Sequence, residues 1–260
     1  MTKLVPCSSR RAQFGSGMSK PLNAFPLSEL RKRKSTKWRT FPSDVLPLPV
    51  AEMDFPIADP IKSALQDMVE RSDTGYLGSF PEMLDAFKSL SEKLWSWTPD
   101  VSQMRVATDV GVGVVEVLRT LVTPGDQIVL NSPIYDNMWR WINEVKGSLV
   151  DVPLINEGME YQMDLAGVEA AYKAGAKVHL LCSPHNPVGI VFSKETLSAI
   201  AELAENYGVI VISDEIHAPL TFEAKQFIPF LNVSSAAARV GITVTSASKA
   251  FNLAGLKCAL

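Results

Sequence analysis

From Val101 onward the chain alternates short unbroken apolar blocks with longer stretches whose apolar positions recur every three or four residues. The blocks are residues 105–108, 127–131, 148–152, 178–182, 209–213 and 242–245, most of them rich in Val, Ile or Leu, the composition of strands covered on both faces. Between them, residues 113–122, 134–145, 165–174 and 194–207 carry the helical period. Such alternation predicts crossover units over a mostly parallel sheet, an α/β fold with helices on both faces.

The punctuation supports this division. Ser193 is placed to cap the 194–207 helix and Gly208 to end it in the left-handed region that glycine enters without strain. Thr123-Pro-Gly-Asp126 and Ser132-Pro133 read as turns between helix and strand. Before Val101 the pattern changes: Asp59 and Pro60 open one helix, Asp59 as its cap, and Pro81 opens another toward Trp97, with no convincing strand between them. The expected organisation is an extension over 1–20, with Met18 a second candidate start, a helical lead-in over 21–100, and a large domain over 101–260. Leu260 follows directly on what reads as one more strand from Gly255, so a missing C-terminal small domain is expected.

Composition narrows the function classes. Of 260 residues 47% are apolar and the formal net charge is -3, a profile that gives nucleic acid no electrostatic reason to bind. The one charge block, Arg31-Lys-Arg-Lys34 with Lys37, is expected to be a solvated surface. No apolar run is long enough to span a bilayer and none follows Arg10 and Arg11 as a signal-peptide core would, so no membrane partner is expected. Three scattered cysteines, Cys7, Cys182 and Cys258, make neither a disulfide framework nor a zinc site; Cys182 and Cys258 are expected as buried small hydrophobes, and a cytoplasmic location is expected.

Four segments carry chemistry, each just beyond a predicted strand or at its junction with a helix. In Thr245-Ser-Ala-Ser-Lys-Ala-Phe-Asn-Leu-Ala-Gly-Leu-Lys257, Lys249 follows two small hydroxyl residues. A strand-end lysine is ordinarily solvated, but at the rim of a sheet a partly desolvated amine is a nucleophile for an aldehyde, and Ser246, Ser248 and Lys257 suit a phosphate. Val209-Ile-Val-Ile-Ser-Asp214-Glu-Ile-His217 puts a carboxylate at the ligand-binding edge of a parallel sheet, where it can pair with a ring nitrogen. Leu181-Cys-Ser-Pro-His-Asn-Pro-Val-Gly189 presents Asn186 in a proline-fixed turn, either as an amide donor or as a plain Asx turn. Thr108-Asp-Val-Gly-Val-Gly-Val-Val-Glu116 is a strand-to-helix junction, read either as simple chain reversal or as an anion site of backbone N–H groups.

Together these four segments resemble the fold-type I pyridoxal 5'-phosphate (PLP) enzymes of the class I/II aminotransferase superfamily. Leu46-Pro-Leu-Pro-Val-Ala-Glu-Met-Asp-Phe-Pro56, Ser35-Thr-Lys-Trp38 and Asp214-Glu-Ile-His217 resemble its cystathionine beta-lyase-like (MalY/PatB-type) branch. The resemblance implies the large domain of a PLP-dependent transferase fold, with the cofactor held as a Schiff base on Lys249. It further implies that Asp214 pairs with the pyridine nitrogen, that Asn186 meets the ring hydroxyl oxygen, and that Tyr135 in Ser-Pro-Ile-Tyr-Asp stacks on the ring. Val112, Gly113, Ser246 and Lys257 fall where the family holds the phosphate. Tyr76 matches a tyrosine that reaches the phosphate across a homodimer interface, and His217 stands where many aminotransferases have a tyrosine. His179 and His185 are read as structural. Pro49 and Glu52 depart from the tryptophan and aspartate usual in this branch, and the family's C-terminal domain, which supplies an arginine for the substrate carboxylate, is not in this sequence. The implied activity is carbon–sulfur β-elimination on cystathionine or a related cysteine conjugate, a small amino-acid substrate. An aminotransferase sharing the same residues and a non-catalytic relative are the alternatives.

Overall fold

The computed structural model describes residues 22–76, 78–158, 160–222 and 226–260. The proposed 1–20 extension lies outside them. The chain divides into two compact units, Met1–Pro56 and Ile57–Leu260.

The described part of the first unit contains two single-turn helices, α1 (Leu27–Leu30) and α2 (Thr36–Arg39), and the extended segment that follows them. Here the basic block departs from expectation. Arg31, Lys32 and Lys34 are exposed, but Lys37 is only 6% exposed, and its ammonium sits 2.9 Å from Asp54 Oδ2 and 3.1 Å from the Glu52 carbonyl. Arg33 donates to the Met53 carbonyl at 3.0 Å, Trp38 Nε1 to Asp54 Oδ1 at 3.2 Å, and Ser35 Oγ to Glu52 Oε1 at 2.8 Å. The physical reason is that 52–55 runs outside any strand, so long cationic side chains supply donors to its carbonyls and carboxylates. The two stretches that resembled the lyase branch are thereby bonded to each other, and Glu52 is bonded where the branch has aspartate.

The second unit runs α3 (Asp59–Glu70), α4 (Pro81–Trp95), α5 (Val110–Leu121), β1 (Gln127–Leu130), α6 (Asn137–Glu144), β2 (Ser148–Asp151), β3 (Ile155–Glu157), β4 (Glu160–Gln162), α7 (Leu165–Lys173), β5 (Val178–Cys182), α8 (Lys194–Tyr207), β6 (Ile210–Asp214), α9 (Ser235–Val240) and β7 (Gly241–Val244). Five strands form one sheet in the order β2-β1-β5-β6-β7, every neighbouring pair parallel, and β3 and β4 pair as a separate antiparallel hairpin.

Period-two alternation divides the core between the two faces. Val129, Leu181 and Val211 pack with Tyr172, Leu197, Ile200 and Val240 of α7, α8 and α9. Ile128, Leu130, Leu180, Ile212 and Val244 pack with Val114, Leu118, Met138 and Ile142 of α5 and α6. The strands are apolar at successive positions because both faces are covered. Each fully buried Leu or Ile contributes about 1.5–3 kcal/mol, so truncating Leu118 or Ile200 to Ala costs roughly 2–5 kcal/mol.

Several boundaries shift. Ser193 Oγ caps α8 through the Thr196 N–H, and Gly208 ends it at φ +69°. Asp59, expected as a cap, is instead the first residue of α3 and caps nothing; its charge at that end still favours the helix dipole. The expected strand at 105–108 is reduced to one bridge between Ala107 and Ala259. The strand expected from Gly255 begins as a turn at Ala254–Leu256, because Asn252 and Lys257 take φ of +57° and +55°, which an extended strand excludes. Only the last residues extend, Leu260 exchanging two 2.9 Å bonds with Thr245. Cys182 is buried; Cys258 is only half-buried, with its sulfur 3.5 Å from that of Met83.

Candidate active site

The carboxyl ends of β5, β6 and β7 meet in register, Cys182 beside Asp214 beside Val244. Alternation turns the Asp214 side chain to the α5/α6 face of the sheet, where it is 5% exposed. Burial pushes its carboxyl up to about 6, opposed by the Ile216 N–H at 3.1 Å and by the positive charge of Lys249. A carboxylate in that position calls for a cation. Lys249 lies in the turn after β7, which is held by Phe251 N–H on the Ala247 carbonyl and Leu253 N–H on the Ser248 carbonyl, both at 3.0 Å. The side chain is half-buried, and the same charge that favours the Asp214 anion disfavours protonation of His217, whose pKa burial has already lowered.

Asn186 sits half-buried in the loop after β5, its N–H on the Cys182 sulfur at 3.4 Å. Gly189 N–H closes the loop on the His185 carbonyl at 2.8 Å, and Gly189 takes φ +72°, a position that favours glycine. Beside the loop, His185 Nε2 lies 2.9 Å from the Pro133 carbonyl, on the connection that leads to Tyr135. The Tyr135 ring is partly exposed, meets the Trp141 ring edge-on at 6.2 Å, and its hydroxyl accepts from the Asn137 amide. Trp141 in turn lies against Gly111, where a Cβ would come within 2.9 Å of the indole nitrogen.

The fourth cluster surrounds the start of α5. Asp109 Oδ1 accepts the Val112 N–H at 2.8 Å and the Asp109 carbonyl accepts that of Gly113 at 2.9 Å. The other carboxylate oxygen lies 3.1 Å from the Lys257 ammonium. The Val112 N–H above all, with Lys257, holds the Asp109 carboxyl below its ordinary value against a burial cost. Ser246 Oγ lies 2.7 Å from Ser248 Oγ and donates to the Cys258 carbonyl at 2.6 Å, so the hydroxyl pair adjoins the residue after Lys257. Val112, Gly113, Ser246, Ser248 and Lys257 thus form one junction, continuous in sequence with Lys249. Tyr76 is fully exposed.

Three neighbours of the site were not among the candidates. Asp109 had a signal, a helix-capping residue just before an apolar run. Trp141 had none, since its contact with Gly111 joins two helices. Glu215 points to the face opposite Asp214, where it accepts the Phe230 N–H at 2.7 Å and the Ser213 hydroxyl at 3.1 Å, and burial raises its carboxyl to about 8.

The geometry is that of a parallel α/β domain with a buried acid at its carboxyl sheet edge, a lysine-bearing turn after the next strand, and a capped helix start joined to that turn's far end through Lys257. The profile of the aminotransferase class I and II family matches residues 43–260, and the chain belongs to that family. Among its relatives it is similar to the cystathionine beta-lyase of Corynebacterium glutamicum, 38% identical over 236 residues, covering 90% of this chain and 62% of that one. Cystalysin from Treponema denticola, whose structure contains pyridoxal 5'-phosphate, superposes with a TM-score of 0.83 at 26% identity, over 88% of this chain and 60% of that one. The PLP-bound C-S lyase of Staphylococcus hominis gives 0.80 at 26% identity, over 90% and 62%. The chain spans about 60% of the length of the curated relatives it matches.

Proposed function

We propose that the chain binds pyridoxal 5'-phosphate on Lys249 and serves a carbon–sulfur β-lyase acting on cystathionine or related cysteine conjugates. The observation that carries this reading is the buried Asp214 at the carboxyl edge of the sheet, in register with the end of β7, whose following turn carries Lys249. The residues present fit the cofactor. Asp214 is buried without a full counter-ion, and a protonated pyridine nitrogen is the cation it lacks. The Ser248 hydroxyl and the Lys257 ammonium are donors of the kinds a phosphate takes, while the Val112 and Gly113 N–H groups are held by Asp109 and the Ser246 hydroxyl by the Cys258 carbonyl.

When bound, the pyridine ring supplies an electron sink for the charge left at the substrate Cα. Asp214 would keep the ring nitrogen protonated, Asn186 would donate its amide N–H to the ring oxygen, Tyr135 would cover the ring face, and His217 would offer a further hydrogen bond to that oxygen. Lys249 takes the Cα proton on Nζ as general base. The sulfur leaves Cβ as a thiol, and with water consumed the remaining carbon skeleton ends as pyruvate and ammonia. We further propose a cytoplasmic homodimer in which the exposed Tyr76 reaches the cofactor phosphate of the partner, with no nucleic-acid or membrane partner.

Relatives named for cystathionine beta-lyase and C-S lyase activity support elimination, while N-succinyldiaminopimelate aminotransferase of Mycobacterium tuberculosis, 34% identical over 152 residues, keeps transamination as the second reading. Pyruvate release from cystathionine with no keto-acid acceptor separates them: a lyase forms it continuously, and a transaminase stays silent.

A further inference from the structure

Two chain segments carry the proposed contacts to the flat faces and edge of the cofactor ring: 131–135 leads from β1 to Tyr135, and 182–186 leads from β5 to Asn186. Both are irregular backbone, which a sheet edge alone does not hold in place. Two buried histidines tie them down. His185, 1% exposed, comes from the second segment and places Nε2 2.9 Å from the carbonyl of Pro133 in the first. A carbonyl only accepts, so the Nε2–H form is present, and the ring edge rests on Phe192 with centroids 5.7 Å apart.

His179, in β5, is wholly buried and places Nε2 2.7 Å from Asn131 Oδ1. The Asn131 amide nitrogen is committed to the Val152 carbonyl at 3.0 Å, so its oxygen accepts, His179 donates from Nε2, and Nδ1 accepts from the Tyr172 hydroxyl at 2.6 Å. The bonds run in one direction from α7 through β5 to the end of β1, with every member satisfied. Burying neutral imidazoles yields less than burying leucines of similar size would, so what these rings add is geometry: rigid bridges between segments remote in sequence.

We propose that His185, which joins the Tyr135 connection to the Asn186 connection, and His179, which ties the start of the Tyr135 connection to β5 and α7, are positioning residues that together clamp the gap in which the cofactor ring sits. The clamp rests on the cofactor reading proposed above. His185→Phe keeps a ring against Phe192 and loses the donor; His185→Gln offers an amide N–H to Pro133 in its place. PLP-loaded native protein and both variants are compared by the rate of cofactor release on dilution and by the visible circular dichroism of the bound chromophore, with far-ultraviolet circular dichroism reporting the fold. The clamp predicts release about tenfold faster and a weakened visible band for His185→Phe, the scale of one lost hydrogen bond, and values within about twofold of native for His185→Gln.

A folded His185→Phe with native release and a native band overturns the clamp, as does His185→Gln behaving no better than His185→Phe. If His185→Phe does not fold, Tyr172→Phe tests the other arm by removing the donor to His179: the clamp predicts severalfold faster release, and a native rate overturns it. A native chain that takes up no PLP overturns the cofactor reading and the clamp together, whereas uptake with indifferent variants overturns the clamp alone.

Discussion

The Lys257 ammonium lies 3.1 Å from the carboxylate of Asp109, whose other oxygen caps α5 through the Val112 N–H. The anion junction therefore contains an anion of its own, and Lys257 neutralises it. A bound phosphate would otherwise face that carboxylate. Lys257→Met is expected to weaken PLP binding about tenfold or more, read by fluorescence titration. Asp109→Asn, which keeps a good capping side chain, should restore part of that loss in the double variant, because the uncompensated charge is gone. Additive effects would show that Lys257 and Asp109 act independently.

Gly111 is where α5 can approach Trp141. Gly111→Ala puts a methyl within 2.9 Å of the indole nitrogen and displaces the ring that meets Tyr135. The expected cost is about 1–3 kcal/mol in urea unfolding, with a shifted tryptophan emission. Gly113→Ala, whose new methyl meets only the Ala107 Cβ at 3.4 Å, should be milder.

Glu215 is buried with its carboxyl raised from 4.5 to about 8. A carboxyl raised on folding binds its proton more tightly in the native state. Its contribution is therefore intact below about pH 4.5 and is lost as pH rises toward 8. For the cofactor-free protein, Glu215→Gln should flatten this part of the stability profile, recovering roughly 3–5 kcal/mol at pH 8 less the worth of the altered bonds. Urea unfolding of native and variant at pH 5 and pH 8 checks the sign; a variant that gains nothing at pH 8 contradicts a buried, protonated Glu215.

The first unit offers a separate test. Lys37 holds Asp54 and the Glu52 carbonyl from a nearly buried position. Lys37→Met keeps the stem and removes the charge, while the Trp38 indole N–H still donates to Asp54. A loss of about 1–2 kcal/mol is expected, with the Trp38 fluorescence reporting local opening.

Much of this was legible from the sequence because both faces of the sheet are covered, which writes β5 as five consecutive apolar or neutral residues and α8 between an evident cap and an evident glycine stop. Asp214, Asn186 and Lys249 stood out as candidates because each lies at or just beyond the carboxyl end of such a strand. The short α9 and the β3–β4 hairpin escaped, the first an alanine run without a wide apolar stripe and the second mostly polar and exposed. The start of α5 was misplaced because Gly111 looks like a turn residue, although its role is the close approach to Trp141. The inward turn of Lys37 had no signal at all, since a charge run reads as solvated until the chain that bonds it is folded alongside.

The most direct test of the central claim, that the Lys249 amine faces Asp214 and takes the cofactor, is borohydride reduction of the PLP-loaded chain followed by peptide mass mapping. One pyridoxyl group per chain on the peptide containing Lys249, and none on the Lys249→Ala variant, is the predicted result. Label on a different lysine, or equal label on the variant, would contradict it.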